Sequence, residues 1–311
     1  MKTFTIFNQK ELDDFFNNLE ICNSSETREI HIKGNINSID DLFKGFEIII
    51  EGDLFIDKIK GDHIYIKRIS GNARIGNISG KVKISGISSM VHIGEIKDEV
   101  KISEIKGYSS IDFISGKSEI DLVNDNVVIR MIRENGKIHS IYGNSRVYCL
   151  TDHSQIGQIH NNTVIEMMDG YSVINNVYDS CSIKVMKDCS EVVSIRDCGT
   201  ILLMSDKSVV SENMRDYSRV ERMLGNSSIQ WMKDFSMVNF VDKGAKIENM
   251  SGFSRIIYAL DKKSVENKKE YSTITSNKME NPELDSHVNS IIFDSKSAYG
   301  RSKIIDEKLI K

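Results

Sequence analysis

The feature that most constrains this 311-residue chain is a period of nine. The stretch Gly225-Asn226-Ser227-Ser228-Ile229-Gln230-Trp231-Met232-Lys233 shows the unit cleanly, and residues 62–260 are twenty-two copies of it with one inserted residue near 211–213. The fifth position is Ile or Val throughout, from Ile66 to Ile256, and the eighth is always apolar, as in Ile69, Val123, Met186 and Met250. The third is small or apolar and drifts from Ala73 and Val82 to Ser154, Ser190 and Ser236, while the first is usually Gly, Asp or Asn.

A period this short excludes the common helical repeats, whose units run to about 33–47 residues. Positions 3, 5 and 8 also fail to trace a 3.6-residue stripe. They fit a short strand with positions 3 and 5 facing in and position 4, often Arg or Lys, facing out. Gly, Asp and Asn at position 1 tolerate the left-handed backbone that a tight corner needs. A short strand and a corner, repeated, is a β-solenoid.

Position 7 sets the coil. In every second unit it reads Phe113, Met131, Cys149, Met167, Val185, Leu203, Arg222, Phe240 and Tyr258; in the alternate units it is mostly polar, as in Glu104, Ser140, Gln158 and Asn176. The true period is therefore eighteen, two nonapeptides per coil with unlike sides. The fold predicted is all-β: a right-handed parallel β-solenoid of 18-residue coils, forming a rod on the order of 50 Å at ~4.8 Å per strand. No single unit buries enough to offset a backbone ordering cost of ~1–2 kcal/mol per residue, so stability must come from stacking neighbours.

The ends do not repeat. Residues 3–7 and 29–33 read as strands. Asn8 with Glu11 marks a capping box, followed by a helical apolar face of Leu12, Phe15, Phe16 and Leu19. A second short helix is expected from Ser38. We assign 1–51 as a small α/β N-terminal cap, 52–278 as the solenoid and 279–311 as a C-terminal cap or tail, with a turn around Pro282, a strand at 291–293 and a helix at 304–310.

Composition bounds the function. Net charge is −4 from 41 basic and 45 acidic residues, well mixed, which is no nucleic-acid footprint. No apolar run approaches the ~18 residues of a membrane span, and no signal peptide is evident, so a cytoplasmic protein is expected. The odd count of five cysteines, without CxxC spacing, reads as reduced thiols. No catalytic or metal-binding constellation and no cofactor motif is found, and the paired glycines of calcium-binding nonapeptide rolls are missing. No coil carries an insertion large enough to build a cleft.

Two candidate binding features remain. The first is the position-7 line of Phe113, Met131, Met167, Val185, Leu203, Phe240 and Tyr258, which, if exposed, predicts self-association about a two-fold axis. The competing reading tucks it into a corner of the core. The second is an aromatic ladder at position 2, Tyr217, Phe235, Phe253 and Tyr271, spaced by about eighteen residues. It is read either as a surface for a sugar or a protein, or as stacking that stabilises the corner.

Units such as Gly143-Asn144-Ser145-Arg146-Val147-Tyr148-Cys149-Leu150 and Asp216-Tyr217-Ser218-Arg219-Val220-Glu221-Arg222-Met223 resemble the Gly-Asn-Ser-x-Val-x-x-Met arrays of proteins from phages and mobile elements of gut bacteria. The likeness covers about residues 140–260 and implies a setting and no site. Bactofilins, self-polymerising bacterial β-helices, are a looser likeness. The expectation is a non-enzymatic structural or macromolecule-binding protein whose partner is a protein, first of all itself. An inhibitor or decoy for a host macromolecule is the alternative, and a carbohydrate-active enzyme, with Asp112, Glu119, Asp121 and Glu166 as outward carboxylates, is the third reading.

Overall fold

The computed structural model describes residues 2–18 and 28–275. The chain is a parallel β-solenoid, and it divides into two compact units, Met1–His139 and Ser140–Lys311. The expectations for Leu19, Cys22 and everything beyond residue 275, including the tail at 279–311, fall outside the described residues.

In the first unit the parallel ladder begins at the N-terminus. Lys2–Ile6 pairs with Arg28–Ile32, which pairs with Phe46–Gly52 at an offset of eighteen, Arg28 opposite Phe46. The expected boundary at residue 52 is thus not where the ladder starts: strands of the N-terminal segment are themselves rungs. The nonapeptide signature is absent there because corners vary in length, while the strand spacing is already that of a coil. Helix α1 (Gln9–Asn17) occupies the connection between the first two rungs. Its Asn8 cap accepts the Glu11 N–H at 3.0 Å, and the Glu11 carboxylate reaches back to the Phe7 N–H at 2.8 Å and the Asn8 amide at 2.9 Å, a capping box shifted to the residue before the cap. Its aromatic face joins Phe4, Phe15, Phe16, Phe43 and Phe46 in one edge-packed cluster. The helix expected from Ser38 is instead a strand, Ile36–Ile39, and a 3-10 turn, Asp41–Phe43, opened by the Asp40 carboxylate on the Leu42 N–H. Ile39 and Phe43 are both buried, and one tight turn is enough to deliver them.

Further along, Ile75, Ile93 and Ile111 stack in one column, Ile75 opposite Ile93 and Ile93 opposite Ile111. Positions 3, 5 and 8 are all core: Ala73, Ile75 and Ile78, for example, are at most 1% exposed. Two early strands, Phe55–Gly71 and Arg74–Ile87, continue around the corners, pairing Gly61 with Gly80 and Asp62 with Lys81. Gly80 sits at φ +86°, and a Cβ there would lie 2.4 Å from the Gly61 carbonyl oxygen. The coils touch backbone to backbone at this corner, so only glycine fits.

The second unit is more regular. Its strands up to Arg255–Ala259 are five residues long, as in Gln155–Ile159 and Ser182–Met186, with one six-residue strand, Val209–Met214, and the last two, Val265–Lys268 and Thr273–Ile274, are shorter. That exception absorbs the inserted residue as a register shift against Glu191–Ile195. Corners carry position 1 in the left-handed region, at Asp179, Asp188, Asp197, Asp206, Asp216 and Asp234 (φ 53° to 60°). Five of these carboxylates, at 179, 197, 206, 216 and 234, do a second job. The backbone N–H of position 1 in one coil donates to the side chain at position 1 of the next: Asn161 to Asp179 at 2.8 Å, Asp179 to Asp197 at 3.2 Å, Asp197 to Asp216 at 3.2 Å. At position 3 a buried hydroxyl donates to the carbonyl three residues back, Ser154 to Thr151 at 2.6 Å and Ser272 to Lys269 at 2.7 Å. The bond is made at some coils only: the hydroxyls of Ser172, Ser190, Ser208 and Ser236 are buried without it, and the same turn carbonyl already accepts the position-3 backbone N–H, as Thr151 does from Ser154 and Asp242 from Ala245.

Candidate functional site

The aromatic ladder lies in the second unit. Strands Arg219–Met223, Met237–Val241, Arg255–Ala259 and Thr273–Ile274 pair in order, Arg219 with Met237, Met237 with Arg255 and Arg255 with Thr273. The corner before each strand places a ring two residues ahead of it. Tyr217, Phe235, Phe253 and Tyr271 therefore stack at centroid distances of 5.2, 5.3 and 5.2 Å with interplanar angles of 6° to 9°. They are 67%, 51%, 47% and 73% exposed. The rings stack on one another and form a row open to solvent.

The surroundings of the row are polar and largely self-satisfied. The Asp216 N–H donates to Asp234 at 3.5 Å, and Gly252 N–H to Glu270 at 2.6 Å. Arg219 is paired with Glu221, which also receives the Asn239 amide. Lys233 lies over the Trp231 ring at 5.0 Å. Beneath the row Ser218, Ser236, Ser254 and Ser272 are buried, so the corner backbone that carries the rings is fixed.

The position-7 line is placed otherwise than a docking strip requires. Phe113 and Met131 in the first unit and Met167, Val185 and Leu203 in the second are buried, at 2% to 8% exposure. On this side of the coil positions 5, 7 and 8 all face inward, whereas on the other side position 7 is half-buried, as Ser182–Met186 and Gln155–Ile159 show. With positions 5, 7 and 8 buried together at these five residues, this part of the apolar series belongs to the core. Phe240 and Tyr258 are half-buried and stack on each other at 5.6 Å, with the Arg222 guanidinium over Phe240 at 5.2 Å. The two-fold pairing expected along this line has no exposed strip at those five residues to use.

A second ladder escaped the sequence reading. Tyr142, His160 and Tyr178 stack at 4.5 and 4.6 Å, with Arg196 over Tyr178 at 5.7 Å, and Tyr171 lies on His153 at 5.3 Å. The eighteen-residue spacing of 142, 160 and 178 was the available signal, masked because one member is histidine.

The outward carboxylates each face a basic side chain. Asp112 meets Arg130 at 3.2 Å, Glu119 meets Lys101 at 3.0 Å, Asp121 meets His139 at 3.2 Å, and Glu166 meets Arg146 and Lys184 at 3.4 and 2.8 Å. Those with arginine and lysine are coil-to-coil ion pairs, and the one with Lys101 holds the Glu119 carboxyl below its ordinary value. Burial pushes the Cys181 thiol up to about 12 and that of Cys149 higher still, which keeps both protonated near neutrality. Among the described residues no three His, Cys, Asp or Glu side chains gather as metal ligands, and no helix is long and apolar enough to cross a membrane. Comparison with family models, with curated proteins and with solved structures returned no match in any of the three.

Proposed function

We propose that this chain is a structural or macromolecule-binding protein rather than an enzyme, that it acts by protein–protein contact, and that its setting is a phage or mobile element. The observation that carries the reading is the exposed, rigid row Tyr217-Phe235-Phe253-Tyr271. Aromatic residues dominate the energetics of protein interfaces. Rings already held by stacking lose little rotamer freedom on binding, so their apolar area is available at low entropic cost. The stacking also speaks for a protein over a sugar. A pyranose docks on a ring face, and here successive faces cover one another at 5.2 to 5.3 Å, leaving ring edges as the outward surface.

A second copy of the chain is the first partner to test. Light scattering on the full chain, over a range of concentrations, is expected to give a mass above 35.3 kDa. A variant with all four rings replaced by serine is expected to return the monomer mass while keeping the β-sheet circular dichroism. A wild-type mass of 35.3 kDa at every concentration would remove self-assembly. A single host protein retained by the wild type and released by the four-serine variant would then identify a decoy.

A further inference from the structure

In the first unit one glycine has no structural reason to be glycine. Gly86 lies in the extended strand Arg74–Ile87, opposite Glu104. Its φ is not positive, and a Cβ built there meets nothing within 4 Å. Gly76 and Gly94, one position earlier in their units, are different: their Cβ atoms would lie 2.3 and 2.5 Å from backbone oxygens of the neighbouring coil. A strand glycine without a steric or conformational need weakens its strand relative to alanine. The corresponding position in the neighbouring coils carries Arg68 on one side and Glu104 on the other. The missing side chain opens a notch between them with a volume of about 300 Å³, walled by Ile49 and bordered by Lys67, Arg68 and Lys106.

The charges around the notch are arranged in two layers. Lys67 is held from behind by Glu29 at 3.0 Å and Glu47 at 3.4 Å, and Arg68 by Glu51 at 3.1 Å, which also pairs with Lys33 and His31. None of these three carboxylates lines the cavity. Of the lining groups, only Glu104 is acidic, and Lys106 covers it at 2.8 Å. An ammonium has three donors and a guanidinium five; the ion pairs use at most two on Lys67 and one on Arg68. The cations are positioned by their carboxylate partners and keep donors to spare.

We infer that the Gly86 notch is a binding site for a short aliphatic carboxylate, free or carried on an acidic side chain of a peptide. A planar carboxylate matches the guanidinium fork of Arg68, with Lys67 and Lys106 beside it, and its stem lies along Ile49. The volume is at the lower end for small-ligand sites, which span about 300–1,000 Å³. This site is separate from the ring row, and neither depends on the other.

The test is titration calorimetry on the full chain with three probes: succinate, a blocked Gly-Glu-Gly tripeptide and inorganic phosphate. Saturable binding of succinate is expected, weakened at least tenfold in Gly86→Leu, which fills the notch, and in Arg68→Gln, which removes the fork. Gly86→Leu is expected to fold, since neighbouring coils already carry side chains at that position, and its melting temperature checks this. The four-serine ring variant should bind succinate as the wild type does. Tripeptide binding as well assigns the notch to an acidic partner segment; succinate alone assigns it to a small molecule. Absence of saturable binding by both carboxylates, binding of phosphate only, or wild-type affinity in a folded Gly86→Leu protein would overturn the inference.

Discussion

The two units run the same coil with different chemistry. In the first, position 8 is almost uniformly Ile, with Ile69, Ile78, Ile87, Ile96 and Ile105 all at or below 1% exposure. In the second it becomes Met at 168, 186, 204, 223, 232 and 250, all fully buried. Isoleucine fills its slot with one stiff rotamer, whereas methionine adapts to whatever shape its neighbours leave. The corners change along the chain as well. The first unit begins with glycine stacked on glycine and strand pairing carried around the bend; its later corners, like those of the second unit, break the strand and take the next coil's carboxylate. Shape is thus maintained by the corner hydrogen bonds and the eighteen-residue register, and core identity is free to change. The outer surface differs as well: ion pairs around a notch in one unit, bare rings in the other.

The strongest way to break the comparison is at position 7 of the second unit. Met167→Glu with Leu203→Glu places two carboxylates where side chains are 5% and 2% exposed, without a cation designed to meet them. We expect destabilisation beyond about 4 kcal/mol, read as loss of the urea transition followed by the single Trp231. A folded double variant of unchanged stability would show that this line is surface after all.

Next in size is the corner of the first unit. Gly80→Asp imports the residue that later corners use, from Asp98 and Asp125 onward, but the 2.4 Å approach to the Gly61 carbonyl leaves no room for its Cβ. With the backbone shift this forces, a cost of about 3 kcal/mol is expected in thermal unfolding. A neutral result would mean that the two corner types are interchangeable.

Much of this was legible in the sequence because the repeat averages out accident. Positions 3, 5 and 8 were readable as core since each is sampled in every coil, and position 1 as left-handed because Gly, Asp and Asn share that tolerance. Position 7 was read as a possible surface, and alternation is why: a strand that simply alternates cannot bury 5, 7 and 8 together, so their joint burial is invisible to a period-two rule. The corner caps carried a signal in the pairs Gly80 and Asp98, Gly107 and Asp125, and Gly116 and Glu134, an N–H donor facing an acceptor eighteen residues later. The Gly86 notch had none, because a glycine in a sequence does not show whether its Cβ would meet a neighbour or empty space.

The third prediction uses the ion pairs of the first unit. The Glu29 carboxyl is held below its ordinary value of 4.5, first by the hydrogen bond from His31 and then by Lys67. Glu51 is lowered by Lys33 and then His31. A lowered folded value means that the unfolded chain takes up the proton first. Their stabilising contribution is complete above the ordinary value and is lost as pH falls through the lowered one. Acidification below about pH 4.5 should therefore weaken the first unit, and Glu29→Gln should remove about 1 kcal/mol at neutral pH while flattening that acid dependence. Hydrogen exchange on residues 28–71 at pH 6 and pH 3.5, for both proteins, reads the effect. Equal acid sensitivity in Glu29→Gln and wild type would assign it to other groups.

The smallest expected effect separates the two functions of a corner aspartate. Asp179 sits at φ 53° and accepts the Asn161 N–H at 2.8 Å. Asn161 occupies the equivalent place one coil earlier, at φ 62°, and accepts the Gly143 N–H at 3.1 Å. Asparagine therefore supplies both the backbone tolerance and the acceptor, and Asp179→Asn should cost only a few tenths of a kcal/mol, as for exchanges among good capping residues. Glycine keeps the backbone tolerance and loses the acceptor; alanine loses both. Asp179→Gly then isolates the cap, at about 1 kcal/mol, and the further loss in Asp179→Ala, again about 1 kcal/mol, isolates the left-handed backbone. The order Asn, Gly, Ala in urea midpoints tests the account. If glycine matched asparagine, the carboxylate hydrogen bond would be worth nothing, and the aspartates of the second unit would be there for their backbone alone.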